Sequence, residues 1–159
     1  MPVRVGPLDL AALDQLQVDA LVVFVAEDER PLAGLAGLLD WRLAGALSRL
    51  VESGALSGGE KEALLTVTGG RLAAPRLFAF GLGPQAKATP ERFGEVATRA
   101  AAAMEKAKVR NVAVGLPELP RPTQSARLLA EAFARLPDAL VLGELQELAL
   151  ALPEAAKRS

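Results

Sequence analysis

Apolar residues follow two rhythms along this chain. Ala20-Leu21-Val22-Val23-Phe24-Val25-Ala26 is unbroken and rich in β-branched side chains, bounded by Asp19 before it and Glu27-Asp28-Glu29-Arg30-Pro31 after it. That pattern predicts a strand buried on both faces. Val3 to Leu8, Ala63 to Thr68, Arg76 to Phe80 and Asn111 to Gly115 predict further strands, with Gly69-Gly70 and Gly81-Leu82-Gly83-Pro84 as stops. Elsewhere the spacing is three and four. Asp9 to Val18 has a loose helical period, at Leu10, Leu13 and Leu16, or is a meandering connector. Trp41, Ala44, Leu47, Leu50 and Val51 make one stripe on a helix capped by Asp40 and running to about Ser53, where Gly54 ends it. Thr89-Pro90-Glu91 is a helix start, with a hydroxyl cap, proline in the first turn and an acid at the positive end. Phe93, Val96, Ala97, Ala100, Ala101 and Met104 are its apolar face. Thr123 caps another helix to Leu136, ended by Pro137. Glu147 to Leu152 fits an edge strand or a helical end equally well. Strands alternating with helices predict one α/β domain over residues 1–152, with a mixed, mostly parallel sheet flanked by helices on both faces. Residues 153–159 form a charged, frayed tail.

Composition narrows the chemistry. The 159 residues carry 18 Lys+Arg and 19 Asp+Glu, a formal charge of −1, so the basic footprint of a nucleic-acid binder is missing. Hydrophobic residues make up 51%, enough for a core without staples. There is no Cys and no His. This removes thiolate sites, the cysteine nucleophile and the commonest general base, and leaves Ser48, Ser53 and Thr66 with no imidazole to activate them. No apolar run reaches the ~18 residues of a membrane span. Met1 to Val5 lacks a basic stretch followed by an apolar one, so no signal peptide is expected, and the absence of cysteine fits the cytoplasm.

Candidate sites are few. Gly81-Leu82-Gly83 lies between a strand and a helix, where backbone N–H groups approach phosphate. Pro84 to Ala88 intervene before Thr89, however, and Ala86 stands where a third glycine would be. If a pocket exists at the carboxyl edge of the sheet, Gly81, Leu82 and Gly83 are its wall, with Gly69 and Gly70 as further members. Glu27-Asp28-Glu29 offers oxygen ligands to a hard cation, but adjacent loop acids usually face solvent, and no metal or other cofactor is expected. Lys106, Lys108 and Arg110 complement a helix C-terminus. Trp41 is either a partner anchor or, on the Leu and Ala stripe beneath it, core; the stripe favours core.

Two stretches carry a family resemblance. One is Asp19 to Val25 with Pro31-Leu32 and the Asp40 helix. The other is Arg76-Leu77-Phe78-Ala79-Phe80-Gly81-Leu82-Gly83, then Thr89-Pro90-Glu91-Arg92-Phe93 and an Ala-rich helix, followed in order by Asn111-Val112-Ala113-Val114 and the Thr123 helix. From Val3 to Leu152 the chain resembles the N-terminal domain of the leucyl aminopeptidase family. The resemblance implies a three-layer, macro-domain-like fold outside the catalytic half. In that family the catalytic half holds two divalent metals with Asp, Glu and Lys in an Asn-Thr-Asp-Ala-Glu-Gly-Arg type run. No such run is present, and Asn111 is the only asparagine. The resemblance thus implies a stand-alone, non-catalytic domain that acts by association, with itself or with a separate aminopeptidase subunit, because the family's domain contributes to hexamer contacts. The alternative is a module for a phosphate ligand such as a nucleotide or ADP-ribose. Against it, Val23 and Ala26 stand where macro domains carry ligand-contacting asparagines.

Overall fold

The computed structural model of the protein describes residues 3–158; Met1, Pro2 and Ser159, and with them the first residues of the signal-peptide reading, lie outside the described residues. Val3–Pro7 (β1), Ala20–Ala26 (β2), Ala63–Val67 (β3), Arg76–Gly83 (β4), Asn111–Gly115 (β5) and Asp138–Gly143 (β6) form one sheet in the order β1-β6-β5-β2-β4-β3. Every pairing is parallel except β3 with β4. Leu10–Asp14 (α1), Gly34–Arg42 (α2) and Ala46–Glu52 (α3) belong to one covering layer. Pro90–Lys106 (α4), Pro122–Phe133 (α5), Leu145–Ala151 (α6) and Pro153–Arg158 (α7) belong to the other.

The uninterrupted apolar run of β2 has a physical reason. Successive side chains of a strand point to opposite faces. Ala20, Val22, Phe24 and Ala26 enter the core under α4 and α5, while Leu21, Val23 and Val25 enter the core under α2 and α3. All are buried, so no polar residue fits. Phe24 sits between two other rings, edge-on to Phe93 at 5.1 Å and tilted against Phe80 at 6.2 Å. Burying a ring such as Phe93 stabilises the domain by about 2 kcal/mol. The α4 start forms as its sequence dictates, with the Thr89 hydroxyl accepting from the Arg92 N–H at 3.3 Å and Pro90 in the first turn. At the opposite edge of the sheet the Asp19 carboxylate accepts from the Arg110 and Asn111 N–H groups at 3.0 and 3.2 Å, tying β2 to β5. Those two N–H donors, helped by the Arg76 and Arg110 charges, hold its carboxyl below the ordinary aspartate range.

The fold departs from the sequence reading at several points. The expected Asp40 helix is two helices, because Ala44 and Gly45 turn the chain at φ 56° and 83°. Asp40 lies inside α2 and caps α3 from a distance: its carboxylate accepts from the Ser48 N–H at 2.8 Å and from the Ser48 hydroxyl. Trp41 is 75% exposed instead of buried, since the break swings the stripe it was counted in off a common face. The strand expected to stop at Phe80 runs on through Gly83 as β4. Helix α5 begins at Pro122 after Arg121, which has φ 57°, so Thr123 is inside the first turn and not the cap. Glu147 to Leu152 resolves as helix α6. The expected frayed tail is helix α7, which lies against β1 and buries Ala155. Among the described residues no helix is long and apolar enough to cross a membrane.

Candidate functional site

The carboxyl ends of β2, β4, β5 and β6 meet at one edge of the sheet, where α/β proteins usually bind ligands. Three loops shape it: residues 27–33 after β2, residues 84–89 after β4, and residues 116–121 after β5. The Asp28 carboxylate accepts from the Gln85 N–H at 3.0 Å and joins the first two. The Glu29 carboxylate accepts from the Ala33 N–H at 2.9 Å and fixes the start of α2. Leu35 of α2 then packs against the end of β5 so closely that a Cβ on Gly115 would lie 2.5 Å from its own Cβ. What remains is a cavity of about 30 Å³, lined by Phe24, Glu29, Leu35, Gln85, Gly115 and Glu118 among others. It has room for about a water molecule. Beside it runs an open groove of about 650 Å³ along Leu8, Pro117, Leu119, Pro120 and Pro122, with Glu118, Glu144 and Glu147 as its charged members.

The Gly-Leu-Gly candidate is placed at this edge, but its donors are spent on the chain itself. The Gly81 N–H donates to the Glu62 carbonyl at 2.9 Å and the Gly83 N–H to the Gly58 carbonyl at 2.9 Å. Leu82 points into the core. A Cβ on Gly81 would lie 1.9 Å from the Gly59 carbonyl oxygen, so the glycine is there to let the Ser57-Gly58-Gly59 turn close over the strand. Gly69 and Gly70 are at the other end of β4, in the loop joining β3 to β4, and do not share this edge. Glu27, Asp28 and Glu29 do not converge, and among the described residues no group of three acidic side chains is placed to hold a metal ion.

The sequence reading passed over Glu62, Leu35 and Glu118. Glu62 is the informative one. Its carboxylate accepts from the Ser57 N–H at 3.0 Å, the Gly58 N–H at 2.8 Å and the Ser57 hydroxyl at 2.9 Å. The Ser57 and Gly58 donors are thus engaged by the chain's own carboxylate. A Ser-Gly-Gly turn followed at short range by an acid was the available signal.

The two carboxylates behave oppositely. Burial pushes Glu62 up, but the Ser57 and Gly58 donors reverse this and leave it below its ordinary value. Burial pushes Glu29 above its ordinary value; the Ala33 N–H pulls it back, and the Glu118 charge acts with burial. For Glu62, as for Asp19, the stability contributed is present above the unfolded-state value and lost as pH falls through the lowered folded value. For Glu29 it is present below the unfolded-state value and lost as pH rises through the raised folded one. Glu62→Gln should cost about 1 kcal/mol at neutral pH and flatten the acid limb below about pH 5. Urea unfolding across that range checks it; an unchanged acid limb would show that the Glu62 contact contributes nothing.

The model of the cytosol aminopeptidase family, N-terminal domain, matches residues 22–136. The chain belongs to the cytosol aminopeptidase family. A probable cytosol aminopeptidase of Syntrophotalea carbinolica is 34% identical over 119 residues, covering 73% of this chain and 24% of that protein. The chain thus spans about a quarter of that relative's length. A tomato leucine aminopeptidase variant covers 98% of this chain with 34% of its own length, at TM-score 0.64 and 19% identity. A Trypanosoma brucei macrodomain in complex with ADP-ribose covers 94% of this chain and 66% of its own, at TM-score 0.69 and 16% identity. This N-terminal domain therefore has the three-layer macrodomain fold, as the resemblance implied.

Proposed function

We propose that this N-terminal domain works by protein association, with itself or with a separate catalytic aminopeptidase subunit, and performs no chemistry of its own. The observation that carries the reading is the acidic lining of the carboxyl edge, together with its nearly filled cavity. Its cavity of about 30 Å³ is far below the ~300 Å³ or more of a small-molecule pocket. Among the described residues the adjoining groove is lined by Glu118, Glu144 and Glu147 with no Lys or Arg, and by Pro117, Pro120 and Pro122, which have no N–H to donate. An anionic ligand meets carboxylate repulsion there. Glu62 already takes the N–H donors of the nearby Ser57-Gly58 turn. The relative's name, cytosol aminopeptidase, and the lack of cysteine support a cytoplasmic setting.

The second reading, a phosphate-ligand module at the Gly81-Leu82-Gly83 edge, draws its support from the fold shared with a macrodomain in complex with ADP-ribose. Thermal unfolding with ADP-ribose and ADP separates the two. Ligand at 100 times Kd stabilises by about 2.7 kcal/mol. No shift with either is expected; a saturable shift would replace the association reading at this edge. In parallel, turnover of an amino-acid amide by the pure chain with added Mn²⁺ or Zn²⁺ is expected to be nil, and real turnover would overturn the non-enzymatic part. Capture of a catalytic aminopeptidase subunit by the immobilised chain is the positive arm.

A further inference from the structure

The sheet's two outer strands are protected to different degrees. β1 carries Arg4, paired with Asp138 at 2.8 Å, ends in Pro7, and has α7 lying against it. Charge, proline and a covering helix are the usual means of keeping an edge from pairing with another chain. β3 has none of them. Ala63-Leu64-Leu65-Thr66-Val67 has no charged residue and no proline, and among the described residues it shows no bulge and β4 is its only neighbour in the sheet.

The hydrogen-bond phase of β3 can be read from its two ends. The Gly81 N–H donates to the Glu62 carbonyl, and the Thr68 N–H donates to the Pro75 carbonyl. In an antiparallel pair alternate residues face the partner strand. The even-numbered residues therefore bond to β4, and the N–H and C=O groups of Ala63, Leu65 and Val67 point to the open edge. The side chains of the same three residues are exposed, Leu65 at 55% and Val67 at 72%. An unpaired ladder and an apolar row thus coincide, and both are completed by an uncharged strand.

We infer that β3 pairs with β3 of a second copy of this chain, antiparallel across a two-fold axis at Leu65. In that register Leu65 meets Leu65 of the partner subunit and Ala63 meets Val67 of the partner subunit. The outward-facing residues of both strands oppose one another, which allows about six backbone hydrogen bonds. Flanking charge agrees: one residue beyond each end of β3, Glu62 falls opposite Thr68 of the partner subunit, so no like charges meet there. The interface is isologous, and closing both open edges at once leaves nothing for a third copy, so it stops at a dimer. The five-residue strand is short, which makes the contact a reversible one. The inference names the partner and surface left open by the association reading, and rests on it.

Sedimentation equilibrium of the full chain from micromolar to millimolar concentration tests it, together with amide exchange followed residue by residue. A concentration-dependent dimer is expected, in which the amides of Ala63, Leu65 and Val67 become protected while those of Leu64 and Thr66 are protected throughout. Leu65→Lys sets an ammonium against its own copy across the axis. It should weaken the dimer about tenfold or more. Val67→Glu places the acid beside Arg76 of its own chain, the residue opposite Val67 in β4, so this variant folds and should weaken the dimer similarly. Leu150→Lys, at an exposed position on α6, should leave the dimer unchanged. A dimer that survives both β3 variants, or forms without protecting the three amides, overturns the β3 pairing and leaves association by another surface standing. A monomer at all concentrations also overturns it. In that case capture of a catalytic subunit would uphold the association reading, and failure to capture one would end it.

Discussion

Replacing Gly81 by alanine is expected to destabilise the domain by at least about 3 kcal/mol, the upper range for a group forced into filled space. The added methyl would sit 1.9 Å from the Gly59 carbonyl oxygen and 2.8 Å from the Gly58 carbonyl carbon. Both are backbone atoms in a turn held by Glu62, so neither yields as the end of a flexible side chain would. The turn must lift, and lifting it breaks the Gly83 N–H to Gly58 carbonyl bond and the Glu62 contacts together. Gly83→Ala is the matched comparison. Gly83 has φ 75°, but its nearest neighbour to a new Cβ is the Glu60 Cβ at 3.6 Å. Only the backbone penalty applies, about 1–2 kcal/mol. Urea unfolding of the two variants ranks them; equal costs would mean that the close approach at Gly81 is not what the glycine serves.

Leu35→Ala is expected to cost about 3 kcal/mol, since a leucine buried to this degree leaves a hole that its surroundings fill only in part. It should also enlarge the cavity at the end of β5, because Leu35 is the side chain that presses on Gly115. The variant still has Glu29 and Glu118 facing the widened space. Removing bulk without changing charge should therefore give no affinity for ADP-ribose. A lowered urea midpoint with no thermal shift on adding ADP-ribose is the expected pair of results. Nucleotide binding by the variant would show that Leu35 alone, and not the acidic lining, keeps the cavity closed.

Much of this arrangement is legible in the sequence where one force dominates. The β2 run admits only one physical solution, burial on both faces, and Thr89-Pro90-Glu91 combines three local preferences for a helix start. Legibility fails where remote partners decide. Nothing local to Asp40 announces that its carboxylate serves Ser48 of the next helix, and the break at Ala44 and Gly45 turns Trp41 outward. Period alone does not separate helix from strand in Glu147 to Leu152; packing beside α5 and α7 does. The Gly81-Leu82-Gly83 passage is visible as a tight place, but whether a ligand or the chain's own turn occupies it depends on Gly58 and Gly59, more than twenty residues upstream.

The neighbourhood of β1 and α7 has a practical consequence. The first and last described elements lie together at one margin of the sheet, and β3 borders the other. Polypeptide joined before Val3 or after Arg158 would leave from the guarded margin, with the whole width of the sheet between it and β3. An affinity handle or a larger fused module at either terminus should accordingly leave the uncharged border free, so tethering the domain to a surface by its end does not mask that border.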